Sequence, residues 1–115
     1  MTALILKKEG PVATIIFNRP EVHNAVSLDM ATRLAEACQE INQDKAILVT
    51  IITGSGDRAF CSGGDLGEYS NKVQEKGFLD AITPEYRFVQ NAAREVAWLE
   101  RPSIAAVNGH ALGLG

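Results

Sequence analysis

The feature that most constrains this chain is the run ILVTIIT at residues 47–53. It is β-branched, nearly continuously apolar, and broken by Gly54-Ser55-Gly56-Asp57, the punctuation that ends a strand. Its lack of alternation predicts a strand buried on both faces, as in a parallel sheet covered by helices. A parallel sheet needs crossovers, and the segments around the run supply them. Residues 4–8 and 12–17 read as two strands hinged at Gly10-Pro11, followed by a long loop, NRPEVHNAV, at residues 18–26. Ser27 is placed to cap a helix, with Asp29 in its first turn, where the helix dipole favours an anion. Ala31, Leu34, Ala35, Cys38 and Ile41 then recur at helical spacing as one apolar face.

Beyond the run, residues 59–66 (AFCSGGDL) form a loop of small residues, and residues 67–82 are polar and without clear periodicity. Thr83-Pro84-Glu85 predicts a helix start, with proline at the first helical position. Phe88, Val89, Ala92, Val96 and Leu99 mark that helix's inner face, and Arg101-Pro102 ends it. Trp98 is expected to anchor the core. Residues 103–107 (SIAAV) predict a short buried strand, Asn108-Gly109 a turn, and Gly113-Leu114-Gly115 the entrance to a further helix. The alternation of β and α elements specifies an α/β fold with right-handed crossovers. A helix that opens at the last residue has no body to pack, so the chain is expected to be the N-terminal part of one larger domain, spanning residues 1–115 of it.

Two glycine-rich segments each follow a strand: Ala59 to Leu66, and NGHALGLG at residues 108–115. Ligands in parallel α/β sheets bind at the carboxyl ends of strands, and glycine lets main-chain N–H groups approach a ligand closely. Two such loops can each offer one N–H to a single oxygen. Either loop taken alone is equally well an ordinary strand-to-helix turn. Neither fits the phosphate-binding pattern GxxxxGK[ST], and Gly109, Gly113 and Gly115 do not make GxGxxG, which counts against a dinucleotide site.

The remaining polar side chains carry less. Asp65 is expected to fix its loop by bonding nearby backbone groups rather than to act as a catalytic carboxylate. Glu68 reads as a solvated residue, and His23 and His110 as positional loop residues rather than bases. Cys61 and Ser62 have no visible His/Asp partners for nucleophilic catalysis. Cys38 and Cys61, the only cysteines, form neither a disulfide framework nor a zinc-ligand pattern, so both are read as reduced thiols in a cytoplasmic protein without bound metal. Eleven basic against fourteen acidic residues leave a net charge of −3, with no cationic excess for a nucleic-acid backbone. No apolar run is long enough to span a membrane, and no leader is expected before the first strand.

Three segments together resemble the enoyl-CoA hydratase/isomerase (crotonase) family along the whole chain. Asn18-Arg19-Pro20 through His23-Asn24-Ala25 is similar to its NRP…NA loop. Ala59 to Leu66 is similar to its AF-small-small-G-small-D-[LI] segment. Residues 101–115 (RPSIAAVNGHALGLG) are similar to its [RK]P-x-IAAVNG-x-ALGGG segment. The resemblance implies a crotonase-like (ClpP/crotonase-type) α/β fold built on a ββα spiral core, incomplete at its C-terminus. It implies an acyl-CoA substrate and no separate cofactor, since coenzyme A is part of the substrate. It places the oxyanion-hole N–H groups on Gly64 and Leu114, and substrate contacts on Ala25, Ser62, Gly64, Asp65, Leu66 and Gly67. Leu114 stands where the family usually has glycine, and Gly67 where it often has lysine.

In the resembling hydratases, two glutamates move the water and the Cα proton. Both fall beyond residue 115 by position, so the chain alone is expected to be inactive. The resemblance also implies a homo-oligomer, trimer or hexamer, for a full-length subunit. The sequence therefore leaves open an acyl-CoA hydratase or isomerase, a catalytically silent acyl-CoA-binding fragment or structural module and, far behind, a dinucleotide-binding domain.

Overall fold

The computed structural model describes residues 2–115, with side chains at all of these except 81, 82 and 85. Strands β1 (Leu4–Glu9) and β2 (Val12–Phe17) form an antiparallel hairpin about Gly10, whose positive φ of 58° suits glycine. A 3-10 turn (Pro20–Val22) interrupts the following loop. Helix α1 (Leu28–Gln43) starts at Ser27, whose side chain accepts a hydrogen bond from Met30 N–H. It crosses over to β3 (Val49–Gly54), which lies parallel to β2, pairing Ala13 with Thr50 and Ile15 with Ile52.

Strand β4 (Ala59–Cys61) leaves the main sheet and leads into α2 (Leu66–Lys76) and α3 (Phe78–Ala97). These two helices are separated by Gly77 at φ 85°. The chain returns as β5 (Ser103–Ala106), parallel to β3, and closes on β6 (His110–Ala111) beside β4. The main sheet therefore runs β1-β2-β3-β5, with β4 and β6 as a separate parallel pair.

One face of the sheet and the inner side of α1 make the core. Ala13, Ile15 and Phe17 meet Met30, Ala31, Leu34, Cys38 and Ile41, all buried. Phe17 and Phe60 pack edge to face at 5.3 Å, tying β4 to the main sheet. Burial pushes the Cys38 thiol up to about 11, with a smaller push from Glu95, and burial also raises Cys61. Both cysteines therefore stay neutral thiols, unsuited to nucleophilic attack.

The structure departs from the sequence reading in five places. Strand β3 is not buried on both faces: Thr50 and Ile52 face the core, while Val49, Ile51 and Thr53 are half-buried. Strand β5 is exposed along its length, because it is an edge with no further strand or helix over it among the described residues. Trp98 is 65% exposed at the end of α3, with Arg94 held 5.7 Å above its ring, so it caps a helix end and does not anchor the core. Helix α3 begins at Phe78 and not at Thr83, so Pro84 sits inside it. Proline costs a helix one hydrogen bond, and an exposed first half of the helix leaves water to take up the freed carbonyl. Residues 113–115 form a turn, with Gly115 N–H donating to Leu112 O, where the sequence predicted a helix entrance.

Candidate functional site

The two glycine-rich segments lie side by side because β4 and β6 pair. Ala59 is registered with His110 and Cys61 with Ala111, and Leu112 N–H donates to Cys61 O at 3.0 Å. Gly63, at φ 96°, lies against the second segment. A Cβ built on it would lie 3.1 Å from Leu112 O and 3.6 Å from Leu114 N, so this crossing needs glycine for both space and backbone angle.

Neither of the amides singled out from the sequence is engaged. Among the described residues, no hydrogen bond is made by Gly64 N–H or by Leu114 N–H. Their neighbours, by contrast, are bonded. Val26 N–H donates to Gly63 O at 2.7 Å, and Asp65 N–H donates to Val26 O at 3.0 Å. A trans peptide sets its C=O and N–H in opposite directions. With Gly63 O turned to Val26, Gly64 N–H points away from the 18–26 loop. The Tyr69 ring covers Gly64 on its Cβ side, where an added Cβ would lie 2.8 Å from Cε2.

The loop at 18–26 is built as a clamp. Asn24 is fully buried with φ 57°, a backbone region that asparagine tolerates. Its amide donates to Ser55 O at 3.0 Å and Ala59 O at 2.9 Å, and its oxygen accepts from Arg19 N–H. Arg19 Nη1 donates to Ala25 O at 2.7 Å and pairs with Asp65 Oδ2 at 2.9 Å. Asp65 also caps α2, accepting from Glu68 N–H at 3.0 Å. Burial opposes ionisation of Asp65, but the bond from Glu68 N–H and the Arg19 guanidinium outweigh it and hold the carboxyl below its usual range.

The other sequence-selected residues surround this point. Ala25 is buried. Ser62 N–H donates to His23 O at 3.1 Å, and its hydroxyl lies 3.5 Å from Val22 O. Leu66 and Gly67 open α2, and Leu66 is 80% exposed. His23, Arg58, Ser62 and His110 line a surface cleft of about 390 Å³ on one side of the crossing. On the other side, Leu114 and Gly115 border an apolar cavity of about 270 Å³ between the sheet and α3. Glu68 is not a free surface residue: its Oε1 accepts from Leu28 N–H at 2.9 Å, joining α2 to the start of α1.

The sequence reading did not find the Arg19–Asp65 pair or the Tyr69 cover, since both join residues that no periodicity relates. Among the described residues, no group of three metal-ligating side chains is present, and no helix is long and apolar enough to cross a membrane.

The family model for enoyl-CoA hydratase/isomerase matches residues 7–115. The chain belongs to the enoyl-CoA hydratase/isomerase family. A crotonyl-CoA hydratase from Syntrophomonas wolfei is 37% identical over 97% of the chain and 41% of its own length. A short-chain-enoyl-CoA hydratase from Clostridium acetobutylicum is 38% identical over the same shares. The crystal structure of an enoyl-CoA hydratase from Bacillus anthracis superposes with a TM-score of 0.88 at 31% identity, over 98% of this chain and 42% of that one. The fold is thus the crotonase-type α/β fold that the motifs implied, and the chain spans about two-fifths of the length of these relatives.

Proposed function

We propose that this chain carries the thioester-polarising half of an acyl-CoA hydratase or isomerase site. Gly64 and Leu114 donate their main-chain N–H groups to one thioester oxygen. Negative charge grows on that oxygen when the Cα proton leaves or water adds to Cβ. Two preorganised donors aimed at it lower the barrier, and losing one such donor costs about 2.7–4 kcal/mol in comparable sites. The observation that carries this reading is that both amides lack an acceptor among the described residues, on loops that touch.

The family relatives and the substrates in their names support an acyl-CoA ligand. The CoA arm then follows the loop side of the crossing, along Ala25, Ser62, Leu66 and Gly67, with the His23–Arg58–His110 cleft as polar surface for it. Asp65 serves this site by shaping the loop. Leu114 donates through its main chain, so its departure from glycine leaves the donor in place.

Asp65 and Glu68, the carboxylates nearest Gly64 in sequence, are both held in structural bonds. This favours a second reading for the 115 residues by themselves, that they bind and polarise acyl-CoA without turning it over. Calorimetry with butyryl-CoA, beside an assay of crotonyl-CoA hydration on the same preparation, separates the two. Binding with turnover supports a complete catalyst, and binding without turnover supports the silent module. A control is S-butyl-CoA, a thioether lacking the carbonyl. Two hydrogen bonds at about 0.5–1.5 kcal/mol each make the thioester bind roughly 5–150-fold tighter. Equal affinities for thioester and thioether would remove the basis of the proposal.

A further inference from the structure

We infer that Arg19 is a positioning residue for the Gly64 amide, acting through Asp65 and the main chain of Val26. The inference rests on the oxyanion reading above and names the device that aims one of its donors.

Gly64 has no side chain to lock it and no bond on its own N–H among the described residues. Its direction is set from both flanking peptide planes. Gly63 O accepts from Val26 N–H, and Asp65 N–H donates to Val26 O, so a single residue of the 18–26 loop holds the planes before and after Gly64. One guanidinium also spans this bridge from outside. Arg19 Nη1 bonds Ala25 O, immediately before Val26, and Asp65 Oδ2, immediately after Gly64. The same nitrogen therefore ties together the outer ends of both segments of the Val26–Gly64 bridge. Both side chains are about four-fifths buried, at 21% and 18% exposure, so the pair is shielded from screening by water and salt. A guanidinium donates in a fixed fork, which gives direction as well as attraction.

The partner interactions sharpen the point. Asp65 would still cap α2 without Arg19, because the cap bond comes from Glu68 N–H. Asn24 would still hold the loop to Ala59 O and Ser55 O. The task left to Arg19 is the alignment of the 25–26 segment against the 63–65 segment, and that alignment aims Gly64 N–H.

The test uses the CoA thioester of 4-dimethylaminocinnamic acid, whose absorption moves to the red when its carbonyl oxygen receives hydrogen bonds. The parent chain shifts the band. Arg19→Ala and Asp65→Asn, the latter keeping the cap through its amide oxygen, are expected to cut the shift to half or less. Arg19→Lys, which keeps a cation beside Asp65, is expected to restore part of it. Affinity for free CoA, which has no carbonyl, stays within about threefold in the two Arg19 variants. A purely structural role would lower the melting temperature of the variants and leave the shift whole in the folded protein. Full shifts in folded Arg19→Ala and Asp65→Asn overturn the inference; should Arg19→Ala fail to fold, Asp65→Asn decides alone. No shift in the parent overturns the oxyanion reading itself, and the inference with it.

Discussion

Gly63 and Leu114 meet across the β4–β6 crossing so closely that a methyl group on Gly63 would lie 3.6 Å from the Leu114 amide nitrogen. The contact brings two turns from distant parts of the chain against each other. It also makes Gly63 sensitive for two independent reasons, the crowding and the φ of 96°. Gly63→Ala is expected to cost about 1–3 kcal/mol in backbone strain. It should also reduce the preference for thioester over thioether. Denaturant melts and paired calorimetry check the two effects separately.

The second donor is tested by removing its N–H. Leu114→Pro lacks the N–H and is expected to abolish most of the thioester preference. Leu114→Gly keeps the N–H and should retain that preference within about threefold, although it changes the border of the apolar cavity. Equal losses in the two variants would mean that the Leu114 side chain, and not its amide, is what the ligand meets.

Asn24 should be the most costly polar position to lose. It is fully buried, and its side chain satisfies Ser55 O, Ala59 O and Arg19 N–H. Each buried partner left without a bond costs about 1–3 kcal/mol, so Asn24→Ala is expected to destabilise the chain by at least about 2 kcal/mol. Urea unfolding measures this, and a loss below about 0.5 kcal/mol would contradict the clamp.

The Asp65 carboxyl is held below its ordinary range in the folded chain. Its contribution to stability is therefore full above the unfolded carboxyl pKa of about 3.9 and is lost as the pH falls through the lower folded value. Thermal stability should be insensitive to Asp65 titration between pH 5 and 8, on the scale of about one pH unit above that value. It should then fall more steeply on acidification in the parent than in Asp65→Asn. Identical acid limbs in the two proteins would show that the ion pair with Arg19 contributes nothing.

Strand β5 is an exposed edge carrying Ile104 at 55% exposure, and Val107 and Trp98 are exposed close by in the sequence. Unpaired edges with apolar side chains recruit other chains. The 115-residue chain is expected to self-associate with rising concentration in sedimentation experiments, and Ile104→Lys to weaken that association. A parent that stays monomeric across the range would contradict this.

The sequence made the scaffold legible wherever a local rule decides the structure. Ser27 announced the start of α1, Gly10 the hairpin, and the apolar runs gave β2 and β3. It failed where burial depends on what packs above an element: β5 is a sheet edge and Trp98 a helix end, so both are apolar yet exposed. Pro84 misled the reading of α3, since a proline that suits a first turn is also tolerated further along an exposed helix. At the site, the glycine-rich loops suggested a pair of donors, and the family resemblance put them on Gly64 and Leu114. The meeting of the two loops depends on β4 and β6, and a two-residue strand has no periodicity to read. The Arg19–Asp65 pair was equally hidden, because charge partners across two loops leave no spacing in the chain.

The most direct measurement is a crystal structure of the chain with a bound acyl-CoA thioester. The account predicts the carbonyl oxygen at about 2.7–3.2 Å from both Gly64 N and Leu114 N, the ordinary range for an N–H donor. A thioester seated elsewhere, or an oxygen that reaches only one of the two nitrogens, would contradict it.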